Sequence, residues 1–67
     1  MYVSYYLLYK YINGIISNVE AIKFGTPQEE NTYTAKKRKE GYRTQRIDHH
    51  MWSLVTAGPI ERVSIGE

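Results

Sequence analysis

The chain has 67 residues, a net charge of +2, 42% hydrophobic side chains and no cysteine. That length suits one small domain, 1-67, with a thin core, because so short a chain buries only about 60% of the surface its unfolded form exposes. Without cysteine there is no disulfide framework and no thiolate zinc site to brace it, and a reducing cytoplasm is the expected compartment.

The first sixteen residues are apolar, but Ser4, Lys10 and Asn13 interrupt the run. It falls short of the roughly 20 apolar residues a membrane helix needs, and no small-residue cleavage site follows it, so no membrane partner is expected. Ile12-Asn13-Gly14-Ile15 lies between two β-rich runs. Asn-Gly there predicts a two-residue turn, since a type I′ turn needs positive φ at both central residues. The register then puts Ile12 opposite Ile15, Leu8 opposite Val19, Tyr6 opposite Ala21 and Val3 opposite Phe24. Alternation sorts the side chains into two faces. One carries Val3, Tyr5, Leu7, Tyr9 and Tyr11 with Ile16, Ile22 and Phe24, and is the expected core face. The other carries Tyr2, Ser4, Tyr6, Leu8, Lys10 and Ile12 with Ser17, Val19, Ala21 and Lys23, and is expected to be half-exposed. Ser17 and Glu20 also have capping-box spacing ahead of Gly25, so a short helix competes over 17–25. The long partner strand favours a strand.

Thr26-Pro27-Gln28-Glu29 opens a helix over residues 27–40. Thr26 can cap it, Pro27 suits the first helical position and Glu29 has capping-box spacing. Glu29 and Glu30 sit at the positive end of the dipole and Lys36 to Lys39 at the negative end, with Gly41 as the stop. Tyr33 and Ala35 are its only conventional hydrophobes, so most of this helix should stay wet. Tyr42 to Ile47 is β-compatible. Asp48-His49-His50 reads as a turn. Met51 to Ala57 reads as a strand, with a short helix capped by Asp48 and stopped by Gly58-Pro59 as the alternative. Ile60 to Ile65 closes the chain's pattern as a short strand with Val63 and Ile65 on one face. The order predicts an α+β fold: an antiparallel sheet opened by an N-terminal β-hairpin, one helix packed on one face, and two or three further C-terminal strands.

This order, with Thr-Pro-x-Glu opening the helix and Gly41-Tyr42 leading into the next strand, resembles the small ββαβ-type accessory proteins that phages and mobile elements encode to modulate host machinery. The resemblance spans roughly residues 3 to 47. It implies a viral or mobile-element role in which a host protein or nucleoprotein is the partner.

Chemistry-bearing patterns are sparse. His49-His50 lacks the third and fourth convergent ligands a metal site needs. Asp48, His49 and Ser53 supply the residue types of a nucleophilic triad, but without a Gly-x-Ser-x-Gly elbow. There is no P-loop and no dinucleotide fingerprint. The expectation is a non-enzymatic protein with no catalytic residue, cofactor or metal; a His-dependent metal site or small enzyme is the least supported reading. Two other features point to binding. Lys36, Lys37, Arg38, Lys39, Arg43 and Arg46 stand against the single acid Glu40, while the rest of the chain is net acidic. Such a block is either a solvated face or a contact for something anionic, so direct DNA or RNA binding through Lys36 to Arg46 is the alternative function. Five of the seven tyrosines lie in the first eleven residues. Tyr2 and Tyr6, with Lys10, are expected to form a docking face with the basic helix end. The long hairpin edge also invites pairing between copies, so a homodimer is expected to be open to it.

Overall fold

The structure is a computed structural model that describes residues 1–66. Its elements run β1 (Ser4–Ile12), β2 (Ile15–Phe24), α1 (Pro27–Lys39), β3 (Arg43–Ile47), α2 (His49–Thr56) and β4 (Glu61–Ile65). The strands form one sheet in the order β3-β1-β2-β4. This is the α+β class predicted from sequence. The hairpin turns at Asn13 and Gly14, whose φ values of 54° and 77° are both positive as the turn requires.

The predicted register holds only for the tip. Ile12 pairs with Ile15 and Lys10 with Ser17, but Leu8 then pairs with Glu20, Tyr6 with Ile22 and Ser4 with Phe24. Asn18 and Val19 together oppose Tyr9, which is a β-bulge, and Asn18 takes a φ of 53° to make it. One extra residue in β2 exchanges its faces from there on. Ile22 and Phe24 therefore join Leu8, Tyr6 and Ser4 rather than Tyr5 and Leu7. The expected core face is thus corrected: Leu8, Ile22 and Phe24, each fully buried, form the main core with Tyr6, Tyr33, Tyr42, Val63 and Ile65 around it.

α1 lies on that face. Thr26 caps it by accepting from the Glu29 N–H at 3.1 Å, and Pro27 opens it. At the other end the Tyr42 N–H bonds the Lys37 carbonyl and the Gly41 N–H bonds the Arg38 carbonyl, both at 3.0 Å. That pair is a Schellman motif, and Gly41 supplies its left-handed residue with φ at 95°.

The stretch favoured as a strand from Met51 is instead α2. Asp48 accepts the Met51 N–H at 2.8 Å, a bond only the helical option offers. His49 and Trp52, three residues apart, then share one side of the helix and flank Tyr5, with ring centroids 5.5 and 5.0 Å away. Tyr5 is on the sheet face opposite α1, so the sheet lies between two helices rather than under one. α2 carries the chain from the β3 edge to the β4 edge. β4 consequently runs parallel to β2, pairing Ile22 with Val63 and Phe24 with Ile65.

The bulge can be checked directly. Asn18→Gly should leave stability nearly unchanged, whereas Asn18→Val, strained at positive φ, should cost about 1–2 kcal/mol in urea unfolding. Equal stability of the two variants would show that the positive φ carries no cost.

Candidate functional site

Two groups of residues carry the chemistry of this fold, one between α1 and the sheet and one on the opposite face. The first is centred on Glu30, which lies on the buried face of α1 against the sheet. Ser4 donates its hydroxyl to Glu30 Oε1 at 2.6 Å, Tyr6 donates to Oε2 at 2.8 Å, and Tyr2 donates to Oε1 as well. Burial alone pushes the Glu30 carboxyl up. The Ser4, Tyr2 and Tyr6 hydroxyls, with Arg46 beyond them, outweigh it and hold the group below the ordinary carboxylate value. The same contact works on Tyr6, whose phenol is raised by burial and by the neighbouring carboxylate. Thr34, also buried, returns its hydroxyl to the Glu30 carbonyl at 2.8 Å. A helix with almost no apolar stripe is therefore docked through a satisfied polar cluster.

Farther along α1, Lys37 reaches down to the sheet. Its ammonium lies 3.8 Å from Glu20 Oε1 and 3.9 Å from Glu40. It also stands 4.7 Å from the Tyr42 ring centre, which Lys10 approaches to the same distance. Burial lowers the Lys37 amine, but Glu20 first, then the phenols and Glu40, raise it above its ordinary value.

The residues expected to form a docking face are accordingly used inside the molecule. Tyr2 and Tyr6 are tied to Glu30, and Lys10 is half-buried against Tyr42. The basic block does not form one patch either. Lys37 is turned inward. Arg38 Nε donates to Thr44 Oγ1 at 3.0 Å, Arg46 pairs across from Tyr6 on the α1 side, and Arg43 pairs across from Tyr9 on the other side. Lys36 and Lys39 are exposed on the last turn of α1.

The opposite sheet face is where apolar surface remains open. α2 covers only its Tyr5 end. β3 pairs with β1 from Tyr5 to Tyr9, and β4 pairs with β2 from Glu20 to Phe24. Residues 10–19 thus project as a two-stranded arm, consistent with Cα extents of 39 × 27 × 15 Å. On the open face Tyr9 and Tyr11 meet edge to face at 5.8 Å, and the Arg43 guanidinium lies 5.1 Å from the Tyr11 ring centre. Beside them is a shallow groove of about 360 Å³ lined by Leu7, Tyr9, Ile16, Val19 and Gln45. Toward the tip of this face Tyr11 is 47% exposed and Ile16 52%, while Ile12 at 48% and Ile15 at 70% project from the other side of the arm. The arm has no charged side chain from Tyr11 to Val19.

Sequence reasoning passes over Tyr9, Tyr11 and the groove because the expected register turns them inward. The signal that points to them is Ser17-Asn18 inside a strand, since Asn is among the residues that tolerate positive φ at a bulge.

The triad residue types do not converge. Asp48 caps α2, and the Ser53 hydroxyl donates to the His49 carbonyl at 3.1 Å. The His49 Nδ1 and the Tyr5 hydroxyl are 3.1 Å apart. Among the described residues no group of three His, Asp or Glu is placed to hold a metal ion, and no helix is long and apolar enough to cross a membrane. No family model matches the sequence, and no curated protein or solved structure is detectably similar to it.

The Glu30 cluster has a pH signature. Its folded-state carboxyl lies below its unfolded value, so its contribution is present above the unfolded pKa and lost as pH falls through the folded one. Stability should therefore decline from about pH 4.3 downward, and Glu30→Gln should flatten that part of the curve. At pH 7 the same variant should lose about 1–3 kcal/mol in urea unfolding. An unchanged acid limb in Glu30→Gln would remove this assignment.

Proposed function

We propose that this is a non-enzymatic interaction protein that holds a macromolecular partner on the open sheet face opposite α1. The observation that carries the reading is the Tyr9–Tyr11–Arg43 cluster on an uncovered face, beside an apolar groove that the half-exposed Ile16 also lines. Tyr and Arg are the side chains that most often anchor interfaces, because they bring large area and a polar or charged edge at modest entropic cost. A contiguous exposed apolar surface on a small soluble chain marks a place of contact. The aliphatic lining from Leu7, Ile16 and Val19 suits protein side chains. The resemblance of residues 3 to 47 in element order to ββαβ-type accessory proteins of phages and mobile elements suggests a host protein or nucleoprotein as the partner and occlusion of a host surface as the mode of action.

A second reading has its own support. Two tyrosines and an arginine on a sheet face also suit stacking of unpaired bases, so direct contact with single-stranded nucleic acid is the alternative. The basic block supports it less, since its side chains are spread over both faces and the helix end.

A capture experiment from a host-cell lysate, with and without nuclease, separates the two. The expected outcome is a protein recovered in both cases and reduced at least tenfold by Tyr11→Ala or Arg43→Ala, with circular dichroism unchanged. Recovery that disappears with nuclease and falls steeply with salt would favour nucleic acid. Recovery indifferent to both substitutions would overturn the proposed face.

A further inference from the structure

Two members of the basic block, Arg43 and Arg46, lie on the free edge strand of the sheet with Arg38 tied beside them, and this edge describes a second contact. β3 closes the sheet on one side and is hydrogen-bonded to β1 alone. In an antiparallel edge strand, alternate residues turn their N–H and C=O groups away from the sheet, which leaves a template for another strand. β3 reads Arg43-Thr44-Gln45-Arg46-Ile47 and contains no acid. Arg43 projects from the open face and Arg46 from the α1 face, so cations flank the edge on both sides. Arg38, fixed by its bond to Thr44, adds a third, and Lys36 and Lys39 stand exposed on the same turn. The acids bordering this segment are Glu30, Glu40 and Asp48. Glu30 lies toward Arg46 but its oxygens are taken by three hydroxyls, Glu40 is paired with Lys37, and Asp48 is occupied in capping α2.

Charged residues on an edge commonly serve to prevent aggregation. Here they do so selectively. Two β3 edges brought together would set arginines against arginines, which disfavours a second copy. A strand bearing carboxylates meets the opposite situation, with guanidinium groups on either face and free backbone groups between them.

We propose that the open edge of β3 takes an acidic, extended peptide segment of a partner protein as a fifth strand of the sheet. This deepens the reading of the chain as an interaction protein and rests on it, since Tyr9 neighbours Arg43 and the added strand would border the Tyr9 groove. Main-chain bonds supply the binding, and Arg43 on one face with Arg46 and Arg38 on the other supply the preference for Glu and Asp on both faces of the added strand. Five paired residues span about 17 Å, so a seven-residue segment covers the edge.

The test is a fluorescence anisotropy titration of the full chain at low salt. The probe is a fluorescein-labelled seven-residue peptide, Val-Glu-Glu-Val-Glu-Glu-Val, whose carboxylates fall on both faces when it is extended. Two controls keep its charge but carry N-methyl groups at alternate backbone positions, one in each phase. The expected result is saturable binding, at least tenfold weaker for one N-methylated phase, with slowed hydrogen exchange of β3 amides when the parent peptide binds. Arg43→Glu with Arg46→Glu should weaken binding at least tenfold. Should that variant fail to fold, the N-methylated peptides still decide. Absence of binding overturns the proposal. So does equal binding of all three peptides without added β3 protection, which would indicate charge attraction alone. A single-stranded oligonucleotide of matched charge that displaces the peptide as well as unlabelled peptide does would also overturn it. The titration uses no lysate partner, so failed capture on the open face leaves it readable, and a failed titration leaves the open face standing.

Discussion

One extra residue in β2 decides how this molecule is arranged. At Asn18 the chain accepts a left-handed conformation, and two residues oppose Tyr9 where a regular ladder would place one. Because side chains alternate with a period of two, every residue of β2 beyond that point changes face. The consequence runs through both layers. Ile22 and Phe24 come to lie beside Leu8, and β4 adds Val63 and Ile65 on the same side. Tyr2, Ser4 and Tyr6 acquire a roof in α1, while Leu7, Tyr9 and Tyr11 are left on the face that α2 covers only at one end.

The way α1 is held follows from that exchange. Its inward residues include a carboxylate and a threonine, and a carboxylate under a helix is costly unless its oxygens are bonded. Three hydroxyls from alternate positions of the chain's first six residues converge on Glu30 and meet that need. Being neutral, they stabilise the charged form without importing a second buried charge that would need its own partner. Removing any one would leave Glu30 less well satisfied, so the cluster behaves as a unit. The apolar part of the contact is small and is concentrated in Tyr33 against Phe24, at 5.8 Å between ring centres. Polar docking of this kind fixes geometry, because a carboxylate has few acceptable arrangements of donors.

What can be read from the sequence is what depends on neighbours in the chain. The Asn13-Gly14 turn, the Thr26 cap, Pro27 at the first helical position and the Gly41 stop are local, and each is legible. Which face β1 buries is not, because it rests on Asn18, one residue whose left-handed conformation competes with an otherwise regular alternation. α2 is obscured for a related reason. Trp52, Val55 and Thr56 favour strands, yet the Asp48 cap and the fit of His49 and Trp52 around Tyr5 outweigh propensity. The parallel direction of β4 is also hidden, since it follows once α2 is recognised as a crossover. Of the candidate site, composition points to Arg43, whereas Tyr9, Tyr11 and the groove become visible only when the register is known. Glu30 reads as a helix-dipole partner, and its convergence with Tyr2, Ser4 and Tyr6 is a matter of tertiary placement.

The parallel seating of β4 has a bearing on the order in which the chain assembles. The hairpin closes through a two-residue loop, whereas β3 must return to β1, from Tyr9–Arg43 to Tyr5–Ile47, over a loop as long as the one that brings β4 to β2. Both edge strands therefore close at similar entropic cost, and β4 comes last because it is synthesised last. Until it arrives, the edge of β2 at Ile22 and Phe24 is open, and this is the edge of the main core. A chain paused at that stage is a three-stranded species whose open flank presents Ala21, Ile22 and Phe24 alongside Glu20 and Lys23. The interval before β4 docks is therefore when the protein is most exposed to chaperones and proteases, and it ends with the Gly25 N–H bonded to the Ile65 carbonyl at 2.9 Å.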